Sequence, residues 1–337
     1  MPTGIIPLSV KTVAISAAGG DRITFDVPND APLSALALRA AGNITIATAD
    51  CTATNSLGIA NIFKSIRLVS KSETRLDVQG RHLDIVHLLQ AQGSRQVTQP
   101  GITQAASPAA FDITLERFFQ MNRMLQPWAD QGILPNHLIR DVQLVVDIDT
   151  PSATMVPAGT TVLAYSGATV ELMVMQARPA PTDFGFYVNE QLTYIQDTTL
   201  LTSTGDKDVR LNVGGRYRHL ICIAESTASP AAGRQFNDNL VTQLVLKANQ
   251  TEYARVNWNV LRAQNREQFL LPSTLPGVAV IDWTKYGAPN ELFDARQLEA
   301  LGNDLKLTVT VGTAAATSVF TVIPVRVFGN FLQIQGG

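Results

Sequence analysis

Four histidines, His82, His87, His137 and His219, are the first residues to weigh for chemistry. His82 and His87 stand five apart in a stretch of helical pattern. A two-histidine metal site on a helix needs a spacing of four, so that both rings leave the same face. The pair therefore reads as surface or capping residues rather than ligands. Asp147 and Asp149 point to one side of a strand and could hold a hard cation such as Ca²⁺ with help from loop carbonyls. A strand end entering solvent accounts for them more simply. Asn212-Val-Gly-Gly-Arg-Tyr-Arg offers glycines and positive charge but lacks the Lys-Ser/Thr ending of a phosphate-cradling loop, so it reads as a tight turn. No Gly-x-Ser-x-Gly elbow and no Cys/His array occurs. Trp128, Trp258 and Trp283 could form a sugar-stacking platform, but their apolar neighbours favour core or subunit-interface packing. No catalytic, cofactor-binding or metal-binding residue is assigned.

Composition narrows the choice further. The chain has 337 residues, enough for two domains of ordinary size. Apolar residues make up 45% and charged residues 16%, which favours a protein that holds much of its surface against neighbours. The formal net charge is −2, without a basic run, so binding to nucleic acid through phosphate neutralisation is not expected. Cys51 and Cys222 sit far apart in apolar or small-residue contexts, as free buried thiols would, in keeping with a reducing compartment. The first residues lack a basic start and a sustained apolar run, so no secretory signal is expected. The sequons at Asn43 and Asn249 are accordingly taken as chance.

The elements that must position these residues are mostly short strands. Ile23, Phe25 and Val27 alternate with Arg22, Thr24 and Asp26, the pattern of a half-buried strand. Ile44 and Ile46 alternate likewise, and so do Val142, Leu144, Val146 and Ile148. Further strands are expected at 161–165, 170–175, 187–194, 209–213, 219–224, 305–311 and 325–328. Residues 91–110, rich in Gln, Ser, Pro and Gly, read as a long surface loop. Leu115, Phe118, Phe119 and Leu125 suggest a helix over 112–125. A second helix is expected from Asn290 as N-cap to Gly302 just past its end.

One stretch occurs twice. Residues 66–90 read as strand, polar turn, short strand and helix, with Leu83, Val86 and Leu89 on one helical face. The same order begins at Leu244 and leads into Trp258, Leu261 and Phe269. At an offset of 178, Leu68 falls on Leu246, Val78 on Val256 and Leu83 on Leu261. The chain is expected to be two copies of one β-rich domain, 1–180 and 181–337, joined at the Pro-rich Arg178–Pro181 region. Many short strands with few inserted helices, repeated once, argue for two all-β sandwiches or barrels.

Three phrases add a resemblance. They are Ile66-Arg-Leu-Val-Ser with its turn and helix, Val142-Gln-Leu-Val-Val-Asp-Ile-Asp with the loop ending Pro157-Ala-Gly, and Gly215-Arg-Tyr-Arg-His-Leu-Ile-Cys-Ile-Ala. The chain resembles the major capsid proteins of corticovirus-type tailless phages. That resemblance implies two tandem eight-stranded jelly rolls with short inserted helices, standing side by side. It implies homotrimers of pseudo-hexagonal footprint, packed trimer to trimer in an icosahedral shell over an inner membrane. Penton and minor capsid proteins and the viral membrane would be partners. The virion would be the location, and the host cytoplasm before assembly. A carbohydrate-binding or spike protein of two β-sandwich domains is the alternative from composition, and a β-sandwich hydrolase a weaker third.

Overall fold

A computed structural model describes residues 4–31, 33–46, 51–54, 58–70, 73–90, 109–116, 141–157, 163–178, 190–227, 234–283, 293–296, 298, 301–302 and 304–329. The first half contributes ten strands. They are β1 (Gly4–Ala14), β2 (Arg22–Asp26), β3 (Leu33–Ile46), β4 (Cys51–Thr54), β5 (Phe63–Ser70), β6 (Glu73–Val78), β7 (Ala109–Glu116), β8 (Val142–Ile148), β9 (Met155–Pro157) and β10 (Leu163–Arg178). Helix α1 (Gly80–Gln90) follows β6, and the one-turn α2 (Pro151–Thr154) follows β8. The second half contributes β11 (Glu190–Ile195), β12 (Asp197–Leu200), β13 (Gly205–Leu211), β14 (Arg216–Thr227), β15 (Arg234–Phe236), β16 (Val241–Ala248) and β17 (Thr251–Asn257). After α3 (Trp258–Gln268) come β18 (Val278–Asp282), β19 (Phe293–Asp294), β20 (Leu305–Val311) and β21 (Val319–Gly329).

Each half builds a jelly roll from two facing four-stranded layers. In the first half the layers run β1-β10-β3-β7 and β2-β8-β5-β6. In the second they run β12-β21-β14-β18 and β13-β20-β16-β17, with β11 extending the β12 position. Sequence order and sheet order correspond strand for strand, so the two halves are one topology used twice.

The correspondence reaches individual residues. Ile66 faces Val78 and Leu68 faces Leu76, with a bulge before the Val69–Thr74 pair. Leu244 faces Val256 and Leu246 faces Ala254, with a bulge before Lys247–Glu252. The repeat at 178 is therefore a shared register, bulge included. The other layers agree. Met175 faces Ala35 and Gln176 faces Leu33 across one bulge, as Val325 faces His219 and Arg326 faces Tyr217 across another. Ile15 donates its N–H to the Ala168 carbonyl (2.8 Å) as Leu201 does to Ser318 (2.9 Å).

Alternation explains the core. Ile23, Phe25, Leu144, Val146, Leu307 and Val309 all turn inward and are buried, because successive strand residues face opposite sides and only one side leaves water. On the other side of β2, β8 and β5, Asp147 lies between Arg22 (2.6 Å) and Arg67 (3.1 Å).

Two helix expectations are corrected. Residues 112–116 belong to β7, where Phe111, Ile113 and Leu115 alternate and pair with β3. The two phenylalanines that suggested helical spacing lie outside the described residues. At the second site, Phe293 and Asp294 form a strand against Tyr217 and Arg216. Helical residues follow at Arg296 and Leu298, with the Leu298 N–H donating to the Ala295 carbonyl at 3.1 Å and the Leu301 N–H to that of Leu298 at 3.2 Å. Gly302 takes a positive φ of 68°, so the correction here is to the start of the helix. The expected N-cap Asn290 is outside the described residues, as are 91–108 and the joint at 179–181.

Truncation of Leu144 to Ala, in the middle of the first core, should lower unfolding stability by about 2–5 kcal/mol through lost burial and the cavity left behind. Denaturant midpoints of the purified variant and the parent would measure it. A change below half a kcal/mol would contradict the packing described.

Candidate functional site: the seam between the rolls

The two rolls share a continuous sheet. Tyr194 and Ile195 of β11 pair in parallel with Leu76 and Asp77 of β6, and the Gln196 N–H donates to the Asp77 carbonyl at 2.9 Å. Strand β21 flanks β11 on its other edge. Its pairing runs to Tyr194–Val325 and resumes at Asp197–Val322. Pro324 lies between these pairs and has no N–H to give. The chain at 195–196 is thus released from β21 on one side and taken up by β6 on the other.

Above this edge lies α1. Arg81 donates from both terminal nitrogens to Glu225 of β14, at 2.7 and 2.8 Å, and from Nε to Gln79 Oε1 at 2.8 Å. The Glu225 side chain is 0% exposed. His82, also fully buried, sets Nδ1 2.9 Å from Gln196 Oε1 and Nε2 3.6 Å from Glu225 Oε2. Gln196 Oε1 also accepts the Gln79 N–H. A charge-assisted bidentate pair therefore sits inside an apolar joint and connects residues 144 apart in sequence.

The rest of the seam is apolar. Ile221, Ile223, Val278, Val280, Ile323 and Val325 leave the outer face of the second roll and join the first roll's core cluster. Val86 and Leu89 of α1, with His219, Ile221, Phe269, Val280 and Val325, enclose a small cavity there. The other faces of these strands fill the second core through Leu220, Cys222, Ala279 and Val322. Strand β14 is consequently buried from Tyr217 to Ser226. The continuous apolar run that starts at Leu220 is the sequence trace of a strand covered on both sides.

Both buried histidines are held below their ordinary pKa of 6.5 chiefly by burial. For His82 the Arg81 cation lowers it further, while Glu225 and Gln196 oppose. For His219, whose Nδ1 is 2.9 Å from Asp282, that carboxylate opposes and Arg218 adds to the lowering. The first turn of α1 also disfavours a cation at His82 through the helix dipole.

The residues singled out from sequence fall out as follows. His82 is interior to the seam rather than on the surface. His137, Trp128 and the side chains of His87 and Cys51 lie outside the described residues. Asp147 is occupied by its two arginines, and Asp149 accepts the Thr150 N–H at 2.8 Å. Among the described residues no group of three or more metal-ligating side chains comes together. The 212–218 stretch is the β13–β14 turn, tied by Asn212 Oδ1 to the Gly214 N–H at 2.8 Å and by the Tyr217 hydroxyl to the Asn212 carbonyl. Trp258 is buried against Phe320, and Trp283 stacks on Phe293 at 5.3 Å, so they form no common platform. Sequence reading passed over the Arg81–Glu225 pair. Its one available signal was an acid closing the apolar run of residues 220–224.

Removing one partner of a buried pair strands the other without compensation. Arg81→Ala should cost about 3–5 kcal/mol of unfolding stability, and Arg81→Leu combined with Glu225→Leu less than Arg81→Ala alone. Urea titrations of the three proteins decide it; a double variant as weak as the single would contradict this account.

A pH dependence follows as well. Unfolded histidines bind protons below about 6.5 while the buried ones resist. Stability should be full above that pH and fall as pH drops from 6.5 toward the lowered folded values. Replacing His82 with Gln should flatten this slope between pH 7 and 5.5 in urea midpoints. An unchanged slope would remove His82 from the account.

No protein-family model matches the sequence, and no curated protein does. Solved structures do match in fold. The STIV MCP, from Sulfolobus turreted icosahedral virus, aligns at 15% identity with a TM-score of 0.72, over 99% of this chain and 99% of that one. VP54 of PBCV-1 aligns at 11% identity and a TM-score of 0.65, over 97% and 94%. The major capsid protein P2 of bacteriophage PM2 aligns at 13% identity and a TM-score of 0.60, over 97% and 98%. Across nearly its whole length the chain has the double jelly-roll fold of these proteins.

Proposed function

We propose that the chain is a major capsid protein, which assembles as trimers of pseudo-hexagonal footprint into the icosahedral shell of a bacterial virus with an inner membrane. One observation carries the reading. Two rolls of equal topology are fused edge to edge, and the fused pair matches capsid subunits end to end. Two like rolls per chain supply six like edges per trimer, so one block can meet six neighbours. The units are taken as 1–180 and 181–337. Penton and minor capsid proteins, and the membrane beneath the shell, are partners on the same reading, and the virion is the location after assembly in the host cytoplasm. The sparse charge also fits a surface that meets copies of itself.

Each subunit should bury more than a standard contact of about 800 Å² per partner, mainly by close packing and hydrogen bonds. Purified protein should therefore sediment as three times 36.4 kDa, with little response to salt in the range that screens surface charges. A monomer at all concentrations that binds glycans would overturn the capsid reading in favour of a two-domain binding protein.

A further inference from the structure

The seam inside the chain joins the β6 edge of the first roll to the leading strand of the second. Because the second roll has the same topology, it carries an equivalent edge. That edge is β17, which pairs only β16 among the described residues. Burial separates the two edges sharply. Arg75, Leu76 and Val78 of β6 are buried, whereas their counterparts Tyr253, Ala254 and Val256 are exposed or half-buried, Tyr253 at 46%. On the following helices, Arg81 and His82 are buried and their counterparts Asn259 and Val260 are exposed, Val260 at 55%.

The first roll likewise has an unused counterpart of β11. Met175 corresponds to Val325 by the shared bulge. Pro7 and Leu8, opposite Met175 and Val174, therefore stand where Tyr194 and Ile195 stand. Among the described residues β1 is the last strand of its sheet, and Leu8 is 42% exposed. Among the described residues, Tyr253 and Val260 on one half and Leu8 on the other are thus large apolar side chains left in water at seam positions, on the two halves of a joint that the described residues make once within the chain.

We propose that β17 and α3 of one copy take the β1 edge of a second copy, repeating between chains the seam that β6, α1 and β11 form within one. This rests on the self-assembly proposed above and specifies its contact. Leu8 lies beside Arg255 as Ile195 lies beside Asp77. Ser9 stands in the place of Gln196 and donates its N–H to the Arg255 carbonyl. Pro7 has no N–H, so the added pairing is confined to that end. Val260 takes the position of His82. Glu225 corresponds to Ala41 and Arg81 to Asn259, so both members of the buried ion pair are replaced together by uncharged residues. The joint is heterologous, using different surfaces on the two partners, and such joints close into rings or run on as filaments. Two rolls per chain make a three-chain ring the six-roll closure.

Parallel neighbours lie within disulfide reach, so the double variant L8C/R255C tests the register directly. Under mild oxidation it should give covalent dimers and trimers in non-reducing electrophoresis. Each single variant, which retains Cys51 and Cys222, should stay monomeric in the gel. Val260→Asp, at a site exposed in the single chain, should keep the parent's circular dichroism but need at least tenfold more protein for half-assembly. Trimers by sedimentation with no crosslink beyond the single-variant background would overturn this contact and leave the capsid reading standing. So would a folded Val260→Asp protein that assembles like the parent. An unmodified chain that sediments as a monomer throughout would overturn both.

Discussion

A sheet edge presents a row of N–H and C=O groups that must find partners, water or cover, and this constraint organises the molecule. In the first roll the β6 edge is covered by the chain that leads into the second roll. Tyr194 pairs with Val325 through one edge and with Leu76 through the other, and beside Pro324 the chain keeps only the β6 side. The edge bonds alone are few. They set the register, and α1 then lies against the outer faces of β14, β18 and β21, where large aliphatic side chains exclude water.

Within that dry seam the Arg81–Glu225 pair has a discriminating role that its net stability does not measure. Desolvating two charges offsets most of their attraction, so a well-packed apolar pair could serve stability equally. A mismatch is another matter. If α3 lay where α1 lies, Asn259 would replace Arg81 and Glu225 would be buried without its cation. The pair therefore penalises exchange of the two helices, a hazard created by the likeness of the rolls. His82 and Gln196 complete the cluster by holding the turn between β11 and β12 against the start of α1.

The two rolls differ where their surroundings differ. The outer face of β14 offers Ile221 and Ile223, covered by α1, while the matching positions on β3 are Ala37 and Arg39. Arg39 pairs with Asp112 at 2.6 Å on the exposed side. Large aliphatics belong to a contact made as the chain folds; a charged, partly exposed residue such as Arg39 suits a surface that stays in water beforehand, while Ala37 is already buried in the single chain.

Period-two alternation was enough to place Phe25, Leu144, Val146, Leu307 and Val309 inside, because a half-buried strand has one dry face whatever its neighbours are. The repeat was legible too, since a shared bulge and register leave apolar residues at a constant spacing. Alternation was overlooked at Phe111, Ile113 and Leu115, where adjacent phenylalanines imitated a helical face. The second helix was placed early because Phe293 and Asp294 are drawn into pairing with β14, a demand made by a strand some 75 residues away. The seam lay beyond local reading altogether. His82 has the same neighbours in sequence whether it caps a helix in water or faces Glu225 in the interior. Only the packing of one roll on the other removes the solvent, and with it decides that Arg81, His82 and Glu225 act together.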